Sequence, residues 1–168
     1  MSELVNRVAQ SGLITIDLET LYREVAVADF DLKDYLFQGL VLREKDFREA
    51  LAAHDWTQYA DQVLLIHCTA DAIIPAWAPM LVASLAIPYA ADVFHGDRDS
   101  YLTSAFRHAI EAMEIDQYVD ARIVVKGCSG RSVPQAAYLE LVKRLQPVVR
   151  SLMFGEPCST VPVFKKGK

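Results

Sequence analysis

Gln62 to His95 reads QVLLIHCTADAIIPAWAPMLVASLAIPYAADVFH, and the alternation within it sets the fold class. Val63-Leu64-Leu65-Ile66 is a continuous apolar run of strand length, the pattern of a strand covered on both faces. Pro75 to Ala86 reads as a helix, with Pro75 in the first turn, where a missing N–H costs no hydrogen bond. Tyr89-Ala90-Ala91-Asp92-Val93-Phe94 is the next extended candidate. Strand, helix, strand within about thirty residues is the signature of a βαβ unit.

The same alternation continues toward the C-terminus. Asp99 is positioned to cap a helix whose Leu102, Phe106, Ala109, Ile110 and Met113 recur at helical spacing. Ile123-Val124-Val125 supplies a third strand. Ser132-Val133-Pro134-Gln135 has the form of a capping box, opening a helix with Tyr138, Leu141, Val142 and Leu145 on its apolar face. Leu152-Met153-Phe154 and Val161-Pro162-Val163-Phe164 give two further short extended pieces. Upstream the pattern is less regular. Leu13-Ile14-Thr15-Ile16 reads as a short strand after the Ser11-Gly12 turn, and Glu24-Val25-Ala26-Val27-Ala28 alternates as its candidate partner. Asp31 is placed to cap a short helix, and Lys45 to Ala53 is amphipathic through Phe47, Ala50 and Leu51.

The expected architecture is a three-layer α/β fold: a mainly parallel sheet with helices on both faces and short antiparallel edge strands. An α+β sandwich is the alternative. The 168 residues form one expected domain, with a less regular part over 1–60, a βαβαβα core over 61–150 and an extended tail over 151–168.

Composition narrows the function classes. The chain is 52% hydrophobic and 23% charged, within the globular range. A net charge of −5 gives no basic face to neutralise phosphates, so no nucleic acid is expected as a partner. The only dense basic cluster is the terminal Lys165-Lys166-Gly167-Lys168, read as a solubilising tail. Ala72 to Ala91 lacks charge over a membrane-spanning length, but Pro75, Pro79 and Pro88 interrupt it and no Lys or Arg cluster flanks it. No membrane segment is therefore expected. Without a signal-like start and with three cysteines, the chain reads as a reduced cytoplasmic protein. No glycine-rich phosphate loop is present, so no nucleotide cofactor is expected.

The cysteines carry the functional expectation. Open α/β sheets bind ligands beyond the carboxyl ends of their strands. Cys68 follows the first core strand and Cys128 follows the third, in Lys126-Gly127-Cys128-Ser129-Gly130-Arg131. In one parallel sheet both thiols would share a rim, with neighbouring strands about 5 Å apart. Asp71 lies in the loop after Cys68, His95 ends the middle strand, and Cys158 lies in the turn-rich Gly155-Glu156-Pro157-Cys158-Ser159-Thr160. Thiolates favour zinc, copper(I) or iron–sulfur clusters, and three cysteines with Asp71 or His95 would make four ligands. No Cys-x-x-Cys pair is present. Three inert core cysteines, in a non-enzymatic interaction module, are the competing reading. His67, next to Cys68 on a strand, points to the opposite face and is read as structural. A third reading places thiol or sulfur-transfer chemistry at Cys128, whose loop and following helix N-terminus would bind an anion and lower the thiol pKa. Against it, Arg131 follows Cys128 too closely for a loop that wraps an anion.

Several segments together resemble a bacterial family known as domain of unknown function 2480. They are Val5-Asn6-Arg7-Val8-Ala9, Leu36-Phe37-Gln38-Gly39-Leu40, Asp71-Ala72-Ile73-Ile74-Pro75 with Trp77-Ala78, Lys126-Gly127-Cys128-Ser129, and Gly155-Glu156-Pro157-Cys158-Ser159-Thr160-Val161-Pro162. The family's recurring motifs include Cys68, Asp71, Cys128 and Cys158, which favours these four over His67 or His95 as metal ligands. Members are often encoded near iron–sulfur cluster assembly genes. The resemblance thus implies a metal-binding protein, a metalloenzyme or an accessory factor, holding zinc, iron or an iron–sulfur cluster and working with iron–sulfur assembly proteins.

Overall fold

In a computed structural model of the chain, which describes residues 12–127, 130, 132–156 and 158–167, the apolar runs become parallel strands and the periodic segments between them become helices. The fold is α/β. In chain order the strands are β1 (Leu13–Asp17), β2 (Val27–Asp31), β3 (Leu36–Phe37), β4 (Val41–Leu42), β5 (Val63–His67), β6 (Asp92–His95), β7 (Arg122–Lys126), β8 (Ser151–Glu156) and β9 (Ser159–Lys165). The helices are α1 (Glu44–Ala52), α2 (Trp77–Ala86), α3 (Arg98–Glu111) and α4 (Gln135–Leu145). The chain divides into two compact units, Glu24–Tyr101 and Met1–Arg23 with Leu102–Lys168.

The unit Glu24–Tyr101 is built on a parallel sheet of order β2-β5-β6. All four residues of the Val63–Ile66 run are buried, as a strand covered on both faces requires. Leu64 and Ile66 enter a core with Phe30, Phe47, Leu51, Trp56, Ala78 and Val82. Phe47 and Leu51 come from α1 at i, i+4, and Ala78, Val82 and Ala86 form the buried stripe of α2 at the same spacing. Small residues on that stripe let the helix approach the sheet closely. The helix starts at Trp77, two residues after Pro75, whose carbonyl accepts from the Ala78 N–H. Asp31 caps a 3-10 turn over Leu32–Tyr35, accepting from the Lys33 N–H at 3.0 Å, which is the expected cap on a tighter helix.

The other unit carries the sheet β1-β7-β8-β9, in which β1, β7 and β8 are parallel and β9 returns antiparallel to β8. The two C-terminal extended pieces are thus a hairpin. Between β7 and β8 runs α4, burying Ala137, Leu141 and Leu145 on Ile123, Val125 and Leu152. Each of the leucine, isoleucine and valine side chains among them contributes about 1.5–3 kcal/mol by leaving water.

Four expectations are corrected. β5, β6 and β7 do not share a sheet: β7 pairs with β1 and β8. An apolar run specifies a buried strand but not its neighbour, which tertiary packing selects. For the same reason β1 pairs with β7 and not with the segment after it, and only Val27 and Ala28 of Glu24–Ala28 enter a strand. The cap of α3 is Asp97, whose Oδ1 accepts from the Ser100 N–H at 2.9 Å, and Asp99 lies inside the first turn. The Ser132–Gln135 box does not form. Pro134 occupies the N-cap of α4 without a side-chain hydrogen bond, because its ring holds the entry to the helix extended. No helix among the described residues is long and apolar enough to cross a membrane.

Candidate functional site

Each unit presents the carboxyl ends of its parallel strands, and the candidate residues distribute between these two rims. In the unit Glu24–Tyr101, β2, β5 and β6 end at Asp31, His67 and His95, with Asp31 in register with His67 and Ile66 with His95. Asp29 and His67 lie two residues apart across the strand pair, and His67 Nε2 is 3.0 Å from Asp29 Oδ1. The His67 side chain is only 17% exposed, whereas that of Asp29 is 66% exposed. A carboxylate only accepts, so Nε2 carries the proton in this contact.

Asp31 ties the end of β2 to the loop after β5. Beside the Lys33 amide it accepts from the Thr69 N–H at 3.1 Å and the Thr69 hydroxyl at 2.5 Å, and Lys33 Nζ is 3.2 Å away. Burial alone would raise its pKa, but the hydrogen bonds from Thr69 and Lys33 outweigh that and hold the carboxyl well below the usual carboxylate range.

Cys68 follows His67, is half-buried, packs against the apolar core of its unit and donates to the Ala70 carbonyl at 3.6 Å. Asp71 is exposed. His67, Cys68, His95 and Gly96 line one side of a cleft of about 890 Å³, whose other lining includes Ile74, Pro79, Met80 and Phe94. At the surface of the same unit, His54 is occupied by Tyr59, with Nε2 2.8 Å from its hydroxyl oxygen.

The second rim is polar. Asp17 and Lys126, in register at the ends of β1 and β7, approach to 3.2 Å. The hydrogen bond and charge of Asp17 raise the Lys126 pKa, with Glu156 and Glu19 adding to it. Glu19 Oε1 accepts from the Gly130 N–H at 3.2 Å, and the Tyr138 hydroxyl donates to the Gly127 carbonyl at 2.7 Å. Gly127 is fitted closely: a Cβ there would sit 2.9 Å from the Tyr138 hydroxyl and 3.1 Å from Leu18 Cβ. Across the rim, β8 and β9 join through the turn after Glu156, which pairs with Ser159. Cys158 is in that turn and exposed. Gly155 has φ +124°, and a Cβ would lie 2.5 Å from the Ser159 carbonyl oxygen, so only glycine opens this turn.

Of the four expected ligands, Cys68 and Asp71 therefore belong to one unit and Cys158 to the other, while Cys128 lies outside the described residues, as do Ser129 and Arg131 of the same loop. Gly127, the residue before Cys128, and Cys158 follow or join the adjacent strands β7 and β8 at one rim. Cys68 follows β5, in a different sheet. Among the described residues no group of three His, Cys, Asp or Glu is placed to hold a metal ion. Sequence reading missed the Asp29–His67 and Asp17–Lys126 pairs and Glu19. Each is made across strands or between distant loops, and nothing local in the chain announces it.

The chain belongs to the family described as protein of unknown function (DUF2480), whose model matches residues 2–166. No curated protein and no solved structure matches it.

Proposed function

We propose that the chain is a metal-binding accessory factor in metal or sulfur handling, and that Cys128 and Cys158 are its leading thiolate ligands. The observation that carries this reading is the position of Cys158. Its exposed thiol is in the β8–β9 turn, at the rim where the neighbouring strand β7 ends one residue before Gly127 and two before Cys128. A thiol at this rim, with a second cysteine two residues past β7 in the sequence, would be the soft half of a zinc or iron site. The described residues alone do not assemble a ligand set, so such a site requires Cys128. Cys68 and Asp71 belong to the unit Glu24–Tyr101, and substitution reads out whether they take part. Bound zinc or iron would supply Lewis acidity, or an iron–sulfur cluster could be held for an assembly partner.

Elemental analysis of protein purified anaerobically without a metal-affinity tag tests the reading. The expected result is about one zinc or iron per chain, lost in Cys128→Ser and in Cys158→Ser. Loss in Cys68→Ser as well would support the four-ligand set. Metal far below one per chain would contradict metal binding and leave the interaction-module reading.

A further inference from the structure

A second concavity lies within the unit that carries β7, β8 and β9, and it uses none of the cysteines. The buried stripe of α4, Ala137, Leu141 and Leu145, seats the helix over Ile123, Val125 and Leu152. The neighbouring stripe, Gln135, Tyr138, Leu139 and Val142, is spaced i, i+3, i+4, i+7 and faces the β8–β9 hairpin across a wedge of about 440 Å³. Register sets Ile123 opposite Leu152 and Val125 opposite Phe154, so these side chains share the sheet face that α4 covers. The Tyr138 and Phe154 rings meet edge to face there, with centroids 5.7 Å apart.

Val163 of β9 reaches the wedge through an irregularity. Leu152 pairs with Phe164 but Met153 with Pro162, which leaves Val163 as the extra residue of a β-bulge. Pro162, with no N–H to give to a ladder, is tolerated at such a place. The bulge re-aims Val163 into the lining.

The chemistry of the walls decides what they accept. None of the lining residues is charged. Of the charges on adjoining residues, Lys126 is paired with Asp17 and Glu140 with Lys143. An ion entering the wedge would leave water and find no counter-charge in its lining. Leu139 is 64% exposed and Val163 53%, so apolar surface stands in water where a ligand would cover it. The polar lining residues are Tyr138, whose hydroxyl donates to the Gly127 carbonyl, and Gln135, whose amide can both donate and accept. Size selects the kind of partner. The wedge is at the lower end of the range of about 300–1,000 Å³ for small-molecule sites. One ring system fills it, whereas a protein partner needs roughly 800 Å² from each side.

We propose that this wedge binds a small, neutral, largely apolar ring compound, with its body against Leu139, Val142 and Phe154 and a single hydroxyl or carbonyl group at Gln135. Burial of the ring supplies the affinity, and the uncharged lining supplies the selection against ions.

Probes sharing one ring system separate these terms: 2-naphthol, 2-naphthoate and 2-naphthylmethylammonium, each titrated calorimetrically into the full chain. Naphthol is expected to bind at least about tenfold more tightly than either ion. Leu139→Asp and Val163→Asp, at exposed positions and with thermal melts like that of wild type, each lower naphthol binding at least about tenfold. Met80→Asp, at a position 70% exposed in the other unit, leaves it unchanged. Either ion binding as tightly as naphthol, no saturable binding by any probe, a naphthol affinity unmoved by both wedge substitutions, or one moved as far by Met80→Asp would each overturn the proposal. Self-association abolished by Leu139→Asp, in place of naphthol binding, would give the wedge to a second copy of the chain and overturn it as well.

Discussion

The two strand-end rims of this protein are made from the same element, the carboxyl end of a parallel β-strand, and they differ in almost everything placed there. At β5 and β6 the chain puts imidazoles, a half-buried thiol and apolar side chains around a cleft, with carboxylates outside it. At β7 and β8 it puts a lysine among carboxylates, two closely fitted glycines and an exposed thiol in a hairpin turn. The first arrangement is concave and largely apolar. The second brings polar and sulfur donors to the surface on short turns. The position of a rim in an α/β fold says where binding occurs, and its side chains say what is bound.

The largest effects that probe this contrast are on the scaffolds. Leu64 at the centre of β5 and Ile123 at the centre of β7 are fully buried. Replacing either by alanine should cost about 2–5 kcal/mol in urea unfolding. A loss under about 1 kcal/mol would mean that the strand does not organise its rim. Gly155→Ala comes next, at about 1–3 kcal/mol, because the new Cβ meets the Ser159 carbonyl oxygen at a φ of +124°. It should also lower the metal content if the proposed metal binding at Cys158 holds.

Smaller is Asp31→Asn, expected to cost about 1–2 kcal/mol as a lost cap and loop anchor. Its pH signature is specific. The folded carboxyl has a lowered pKa, so its stabilisation is full above the unfolded value of about 3.9 and fades as pH falls through the folded one. Wild type should therefore lose stability below about pH 4 and Asp31→Asn should lose less over that window. Identical acid profiles would remove Asp31 from the account. Lys126→Met is the smallest. The pair with Asp17 is at the surface, and the raised lysine pKa places its stabilisation below the unfolded value of about 10.4, lost only as pH rises through the folded one. Near neutral pH, thermal melts of wild type and Lys126→Met should be indistinguishable at moderate salt.

How much of this was legible in the chain depends on the range of the interaction. The Val63–Ile66 run, the Ala78/Val82/Ala86 stripe and the Ala137/Leu141/Leu145 stripe are local patterns, and they correctly mark α/β elements. Strand partnership is not local. Nothing in Leu13–Asp17 names β7 as its neighbour, and a single shared sheet for β5, β6 and β7 was the consequence. The site divides the same way. Cys68 and Cys158 stand beside strand ends or turns, as their flanking residues indicate, but the separation of their sheets follows from pairing. Asp29 illustrates the remainder: its role arises only because β2 and β5 align it beside His67, thirty-eight residues on.

Cobalt(II) titration of the metal-free, reduced chain tests the division of the two rims most directly, since thiolate–cobalt charge-transfer absorption reports sulfur ligation. Saturation near about one cobalt per chain, with that absorption abolished in Cys158→Ser, is the predicted result. A spectrum without thiolate character, or one unchanged in Cys158→Ser, would contradict the assignment of the metal to the β7–β8 rim.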